Sequence, residues 1–435
     1  MPISQPTVSL SDSVPNSRWF RILPPCVIIY IIAYMDRVNI GFAMAAGMNK
    51  DLGISSTYAG LAAGIFFWGY LLLQIPGGHI AEHGSPKKFI ASTILAWGAI
   101  SFLTGFVQTG WELYVMRFLL GVAEGGVYPA ILVVVGKWFP RTEIGRANAL
   151  FLISLPLSAV LTNPISGFVV DQYGWRALFY FEGVVSLVLL LIWWPLASDD
   201  PTTAKWISTA ERDYIQAALA HDRAAKEEEF ARADRSTRGT YRQLLLDKNL
   251  WIMSIIFICF LTGSYGFLIW LPTILKELMK ASLSSVGWLS VLPLTAAVIG
   301  LYSFGALSDR KGNRRGWCTI ALCGFGIAFG LAAFIPHLRW ISFALIVVTG
   351  LLSKAIAGPY WSMPDLLFPP GVTGGARGII NGIGNLGGFI GPVLFGWLTT
   401  LTGTTSAGIY ALAAILVLGG LVCRLLPETT GGDNG

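Results

Sequence analysis

Residues 305–315 read GALSDRKGNRR, and a related stretch, GGHIAEHGSPKK, stands at 77–88. Each follows an apolar run long enough to cross a bilayer, and another such run comes after it. A nearly constant shift also relates Pro129 to Pro359, Phe139-Pro140 to Phe368-Pro369, and Pro164 to Pro392, always about 228 to 230 residues. Four landmarks in one register mark an internal repeat. The chain is therefore two halves with the same order of helices, joined by one polar segment.

The 435 residues are 54% hydrophobic and 12% charged, with a mean hydropathy of +0.63. An average soluble domain is roughly 25% charged. A bilayer resolves the excess, because lipid solvates the outer faces of the helices. The 50 glycines suit helices that pack closely without a hydrophobic driving force. A window of about 20 apolar residues places spans at 20–43, 58–79, 88–108, 112–136, 146–170 and 177–197. The second half has spans at 249–272, 285–308, 316–336, 340–362, 376–400 and 405–426. The expected fold is an all-α membrane protein of twelve transmembrane helices in two pseudo-symmetric six-helix bundles. It divides into a tail at 1–19, a bundle at 20–197, a linker at 198–248, a bundle at 249–427 and a tail at 428–435.

Lysine and arginine fix the orientation. With the N-terminus inside, the inner segments hold Arg18, Arg21, Lys87, Lys88, Lys137, Arg141, Arg146, Arg310, Lys311, Arg314, Arg315, Arg377 and Arg424. The outer ones hold Lys50, Arg176, Lys276, Lys280 and Arg339. Both termini are thus expected in the cytoplasm, and the net charge of +6 records topology rather than a nucleic-acid partner. The compact chain, without a long outer loop, points to a bacterial inner membrane. Within the linker, ISTAERDYIQAALAHDRAAKEEEFARADR reads as a surface helix with flexible flanks. A solvated connection is expected there, with regulatory docking as the alternative.

Charges at mid-bilayer are costly and mark function by default. They are Asp36, Arg37, Arg117, Glu124 and Lys354, with Glu182 and Arg377 nearer span ends. Tyr114, Arg117, Gly121, Glu124 and Tyr128 share one helical face, which must look into the bundle. At 1.5 Å per residue, Glu124 lies about 20 Å from the outer end of its helix. Its carboxyl can be neutral when desolvated and ionised when water or a cation reaches it, which makes it the first choice for proton coupling. A static partner for an arginine is the alternative. Arg117 is read as structural or as a modulator of that acid. Tyr30, Tyr34, Arg37 and Gly41 stack on one face of span one, where Arg37 offers a planar fork that suits a carboxylate. Tyr70 and Gln74 lie a turn apart in span two, and Asn381 and Asn385 a turn apart in span eleven. Tyr265 and Trp361 could wall a pocket, as could ordinary packing at each of these positions. Lys354, shifted by the repeat, coincides with Glu124. It reads either as a second positive contact suited to a dicarboxylate, or as a lysine reaching a wet cavity or paired with Asp365.

GALSDRKGNRR resembles the inter-helix motif G-x-x-x-D-R-x-G-R-R of the major facilitator superfamily. Its first copy is degenerate, with Gly78, Glu82, Lys87 and Lys88 in the corresponding places. The resemblance implies a gating latch on the cytoplasmic side, made in the second copy by Asp309, Arg310, Arg314 and Arg315. YMDRVNIGFA (34–43), RFLLGVAEGGVYPA (117–130) and KWFPRTEIGRANALF (137–151) resemble the anion:cation symporter branch, whose members carry sugar acids, tartrate, phthalate, hydroxyphenylacetate and glutamate. The resemblance covers about residues 20 to 427. It implies that Arg37 is the primary contact for the substrate anion and pairs with Glu124 when the site is empty. It also implies that Asp36 takes part in proton coupling and that Tyr70 lines the cavity.

The expected function is proton-coupled symport of a small organic anion. Uncoupled or exchange transport of the same anions is the alternative, and a transporter-like sensor a weaker one, since the linker is too short for a signalling domain. No phosphate-binding loop, H-E-x-x-H or nucleophile elbow is present in the sequence. Neither an enzyme nor a primary pump is expected, and no cofactor or metal. The partners are the anion, protons and lipid, and the chain is expected to act as a monomer.

Overall fold

The computed structural model describes residues 16–232, 241–369 and 371–428, and the side chains of 226–232 are left aside. The tails read at 1–19 and 428–435 lie mostly outside the described residues. Among the described residues, eleven helical stretches are long and apolar enough to cross a membrane: Ser17–Ala45, Ser56–His83, Gly110–Trp138, Arg141–Tyr173, Trp175–Leu196, Lys248–Met279, Leu283–Lys311, Arg314–Phe334, Arg339–Leu367, Thr373–Thr402 and Thr405–Leu425. The twelfth, Pro86–Thr104, is third in chain order. Lys87 and Lys88 in its first turn lower its hydropathy. Ser85 starts that helix, its hydroxyl accepting from Lys88 N–H. The chain is thus an integral membrane protein of twelve spans in two six-helix halves. Large apolar side chains such as Ile75, Leu191, Trp340 and Tyr302 stand outward, where acyl chains cover them.

Several spans expected to be continuous are interrupted. Span one breaks at Asn39, span four at Gly126, span five at Ile153, span ten across Lys354–Ile356 and span eleven at Asn385. Bonds to the third residue back tighten these breaks: Phe42 N–H donates to Asn39 C=O at 2.8 Å, and Gly388 N–H to Asn385 C=O at 3.0 Å. The breaks in spans four and ten fall at matching places in the two halves, as do, within a turn, those in spans five and eleven. Hydropathy misses them because each break takes only one to three residues of a long apolar run.

The halves meet at the end away from the linker. Span two crosses span eleven so closely that a Cβ on Gly60 would stand 2.3 Å from Pro392 C=O, and span five crosses span eight so closely that a Cβ on Gly167 would stand 2.5 Å from Leu283 C=O. Only glycine permits such approaches. Polar bonds close the same end: Lys276 Nζ donates to Ala45 C=O at 2.7 Å, Thr57 N–H to Thr400 Oγ1 at 2.9 Å, and Leu283 N–H to Asp171 Oδ1 at 3.3 Å.

The linker differs from the solvated connection expected. Its helix, Thr209–Arg232, and the turn before it pack on the first half. Trp206 stacks on Trp138 at 5.1 Å, and Ile207, Glu211 and Ile215 are buried. Arg18 is 1% exposed and bridges Glu143 at 2.7 Å and Glu211 at 2.8 Å. Ser17 also donates to Glu211, and Tyr214 to Glu143 at 3.1 Å. Charge composition alone suggested a wet helix. The apolar residues at 204, 207 and 215 form the stripe that docks it.

Candidate functional site

Span one turns at Asn39, one turn beyond Tyr34, Asp36 and Arg37. The two adjacent charges leave the helix in different directions. Arg37 is 5% exposed, and its guanidinium lies over three rings: Tyr70 at 4.6 Å, Phe66 at 5.2 Å and Tyr34 at 5.5 Å. These contacts stabilise the cation without neutralising it. Its Nη2 reaches Glu124 Oε2 at 3.5 Å, at the long limit of a hydrogen bond. Arg37 Nε and Glu124 Oε1 have no partner. A buried pair joined by one long bond, with a spare donor and a spare acceptor, is ready to exchange one partner for another.

Asp36 faces away, toward spans three and six. Its Oδ1 accepts from Ser101 at 2.6 Å and its Oδ2 from Ser186 at 3.5 Å. Arg117, wholly buried on span four, donates to the backbone carbonyls of Asp36 at 3.1 Å and Arg37 at 3.3 Å. Those carbonyls are freed near the break at Asn39, so Arg117 holds the bend that aims both charges.

The second half approaches through aromatic contacts. Phe66 touches Phe67 at 5.4 Å, and Phe67 meets Tyr265 edge-on at 4.5 Å. The residue before Tyr265, Ser264, donates to Ser353 C=O at 3.5 Å, where span ten breaks. Lys354 follows at once, half-buried, its ammonium 5.8 Å from the Phe260 ring. Asp365, the other partner considered for it, binds Arg377 at 2.7 Å. Trp361 packs edge-on against Phe257 at 5.0 Å. Asn385 is buried at the break of span eleven and its N–H donates to Asn381 C=O at 3.0 Å. Gln74 is half-buried and makes no hydrogen bond to this cluster.

The latch residues divide. In the first copy Glu82 and Lys88 are exposed. The acid engaged there is Asp199 of the linker, which accepts from Ser85 Oγ at 2.7 Å and Lys87 N–H at 2.8 Å. Gly78 lies close to Pro129. In the second copy Asp309 and Arg310 are exposed. Arg314 donates to Ser362 C=O at 3.0 Å, while Arg315 binds the C-terminal carbonyls and Glu428.

Two buried residues join the site that the sequence reading had not assigned to it. Asn39 has neither side-chain donor nor acceptor satisfied. Glu182 is fully buried beside Asp36. The sequence placed Glu182 near a span end, but its helix starts at Trp175, which sets it two turns deep. A separate pocket of about 430 Å³ lies at the far end of the second half, lined by Ile274, Glu277, Lys280 and Arg339 among others, away from this cluster.

The family model described as Major Facilitator Superfamily matches residues 26–283 and 273–434. The chain is 35% identical over 435 residues to a protein of Agrobacterium vitis named "Putative tartrate transporter", covering 98% of this chain and 97% of that one. It is 26% identical over 422 residues to the Escherichia coli protein named "Probable galactarate/D-glucarate transporter GudP", covering 92% of each. Among solved structures it is similar in fold to a bacterial homologue of the human lysosomal transporter Spinster, with a TM-score of 0.76 at 15% identity, covering 94% of this chain and 97% of that one.

Proposed function

The chain belongs to the Major Facilitator Superfamily and is a transporter rather than an enzyme, and from that premise we propose that it carries a small organic anion across the membrane together with protons. The observation that carries this reading is the Arg37–Glu124 pair. An incoming carboxylate takes the guanidinium, and the displaced Glu124 accepts a proton. Charge inside the low-dielectric site then stays balanced. Asp36 is the second proton-binding group of the reading and Arg117 the residue that positions both acids. Tyr34, Tyr70, Gln74, Tyr265, Trp361, Asn381 and Asn385 supply the walls and hydroxyl contacts.

Lys354 supports a substrate with two carboxylates. Among the described residues no acid pairs with its ammonium, and it stands on the opposite half from Arg37. A diacid bridging Arg37 and Lys354 would draw the halves together. The relatives named for tartrate and for galactarate and glucarate carry hydroxylated diacids by name, and that is the class proposed here.

In this reading the linker end faces the cytoplasm of a bacterium, by the lysine and arginine bias. The contacts at Gly60 and Gly167 then describe a carrier sealed toward the outside. Transport alternates between this arrangement and one closed at the Asp309 and Lys87 loops. The units are a bundle at 20–197, a linker at 198–248 and a bundle at 249–427, acting as a monomer in the inner membrane. The test is uptake of labelled tartrate into proteoliposomes under an imposed pH gradient. Accumulation that follows the gradient in wild type and is lost in Glu124→Gln supports symport. Accumulation indifferent to the gradient supports the exchange alternative.

A further inference from the structure

Glu182 has no assigned part in this cycle, yet its surroundings demand a chemical account. It is 0% exposed, and neither carboxyl oxygen meets a donor. Ser186, one turn further along the same helix and so on the same face, donates to Asp36 Oδ2 at 3.5 Å, which sets Glu182 on the side of span six turned toward Asp36.

The groups around the two acids are few. Span one brings Arg37 besides Asp36, and span three brings Ser101, already bound to Asp36. Span six itself brings Ser186. Span four brings Arg117 and Glu124, but Glu124 belongs to Arg37, and Arg117 commits two N–H groups to backbone carbonyls. Three buried carboxyl groups therefore share a site with two guanidinium groups.

Ionising all three would leave a net negative charge among buried groups. It would also press two carboxylates together with no donor between them. One proton removes both faults. It brings the five groups to neutrality and supplies the donor that the Glu182 oxygens lack. Carboxyl pairs in contact bind a proton jointly and titrate as a unit.

We propose that Asp36 and Glu182 hold one proton between them, making Glu182 the second member of a carboxyl–carboxylate pair that loads and releases a coupled proton. The role in coupling rests on the symport reading above; the shared proton does not. Binding converts one carboxylate to a carboxyl that donates to the other. Release returns the proton to water and leaves two anions, which the cluster tolerates only when a positive charge nearby is freed. The pair thereby senses whether Glu124 is ionised.

The test has two arms. Infrared spectra of purified protein at neutral pH report the carbonyl stretch of protonated carboxyl groups. The shared proton predicts a band in wild type that both Glu182→Gln and Asp36→Asn remove, because either change restores neutrality without a proton. A band that persists in Asp36→Asn assigns the proton to Glu182 alone and overturns the proposal, as does a spectrum that neither variant changes. In proteoliposomes, Glu182→Gln should lower accumulation driven by a gradient of about one pH unit roughly tenfold, because one coupled proton contributes about 1.4 kcal/mol at that gradient, while substrate exchange without a gradient stays measurable. Exchange shows that the variant is folded. Gradient-driven accumulation equal to wild type overturns the coupling role. A wild type that ignores the gradient defeats the symport reading itself and leaves the infrared result standing.

Discussion

Arg37 reaches Glu124 through one nitrogen and one oxygen at 3.5 Å, although each side chain holds a second atom that nothing else engages. A guanidinium and a carboxylate free to optimise would form two parallel bonds nearer 2.8 Å. The loose pair leaves the fork open to a substrate carboxylate. Arg37→Lys keeps the charge but loses the fork, so substrate affinity in a binding assay should fall about tenfold or more. Affinity within a factor of two of wild type would show that Arg37 is not the anion contact.

Arg117 should behave as a structural residue. It donates to two carbonyls beside the break of span one, and removing it orphans both. Each orphaned buried group costs about 1–3 kcal/mol. Arg117→Met should therefore lower the melting temperature in detergent distinctly, whether or not substrate is present. A variant with unchanged melting but altered pH dependence of uptake would instead assign Arg117 to the coupling chemistry.

Lys354 should discriminate by substrate charge. Lys354→Ala is expected to weaken binding of a hydroxylated diacid about tenfold, equivalent to roughly 1.4 kcal/mol. Its effect on the matching monoacid should be small. Equal losses for both acids would remove Lys354 from recognition of a second carboxylate.

The close crossing at Gly60 makes a sharp mutational prediction. A side chain there meets the backbone of span eleven, 2.3 Å from its Cβ, and backbone cannot step aside. Gly60→Leu should insert in the membrane yet fail to close at the end away from the linker. Transport should be nearly abolished, and a cysteine placed at Thr400 should become reactive to a membrane-impermeant thiol reagent. A fully active Gly60→Leu would show that this contact is dispensable.

The Arg18 bridge should hold the linker helix down. Arg18 is buried between Glu143 and Glu211, and breaking a buried ion cluster by deleting one member costs about 3–5 kcal/mol. Arg18→Ala should make the segment after Ile207 cleavable in limited proteolysis while the spans survive. Cleavage at the wild-type rate would mean that the apolar stripe docks the helix unaided.

How much of this was legible in the residues depends on the kind of signal. The repeat, the twelve spans and the buried charges all announce themselves, because each is a sum over many residues or a costly exception in an apolar run. Pairing of Arg37 with Glu124 was reachable through the resemblance. Glu182 was named as a charge near a span end but left out of the site, because a hydropathy window shows how deep a residue lies and not which neighbouring helix it faces. The Asp199 contact was missed because the motif supplied an acid of its own, Glu82, and motif reading cannot see an acid from the linker take that place. The docked linker was missed because three apolar residues in a charged segment carry little statistical weight, though Ile207 and Ile215 bury completely or nearly so. The helix breaks were missed because periodicity averages over them.

Asp36, Arg37, Arg117, Glu124 and Glu182 all stand on the first half, while the second contributes Lys354, aromatic rings and amides. In the proposed cycle every acid that would take up a proton is therefore carried by one module, while the cargo is gripped from both, by Arg37 on one and Lys354 on the other. A chimera that exchanges only the second half should keep its response to a pH gradient and its grip on one carboxylate, and should change which groups it accepts at the other end of the cargo.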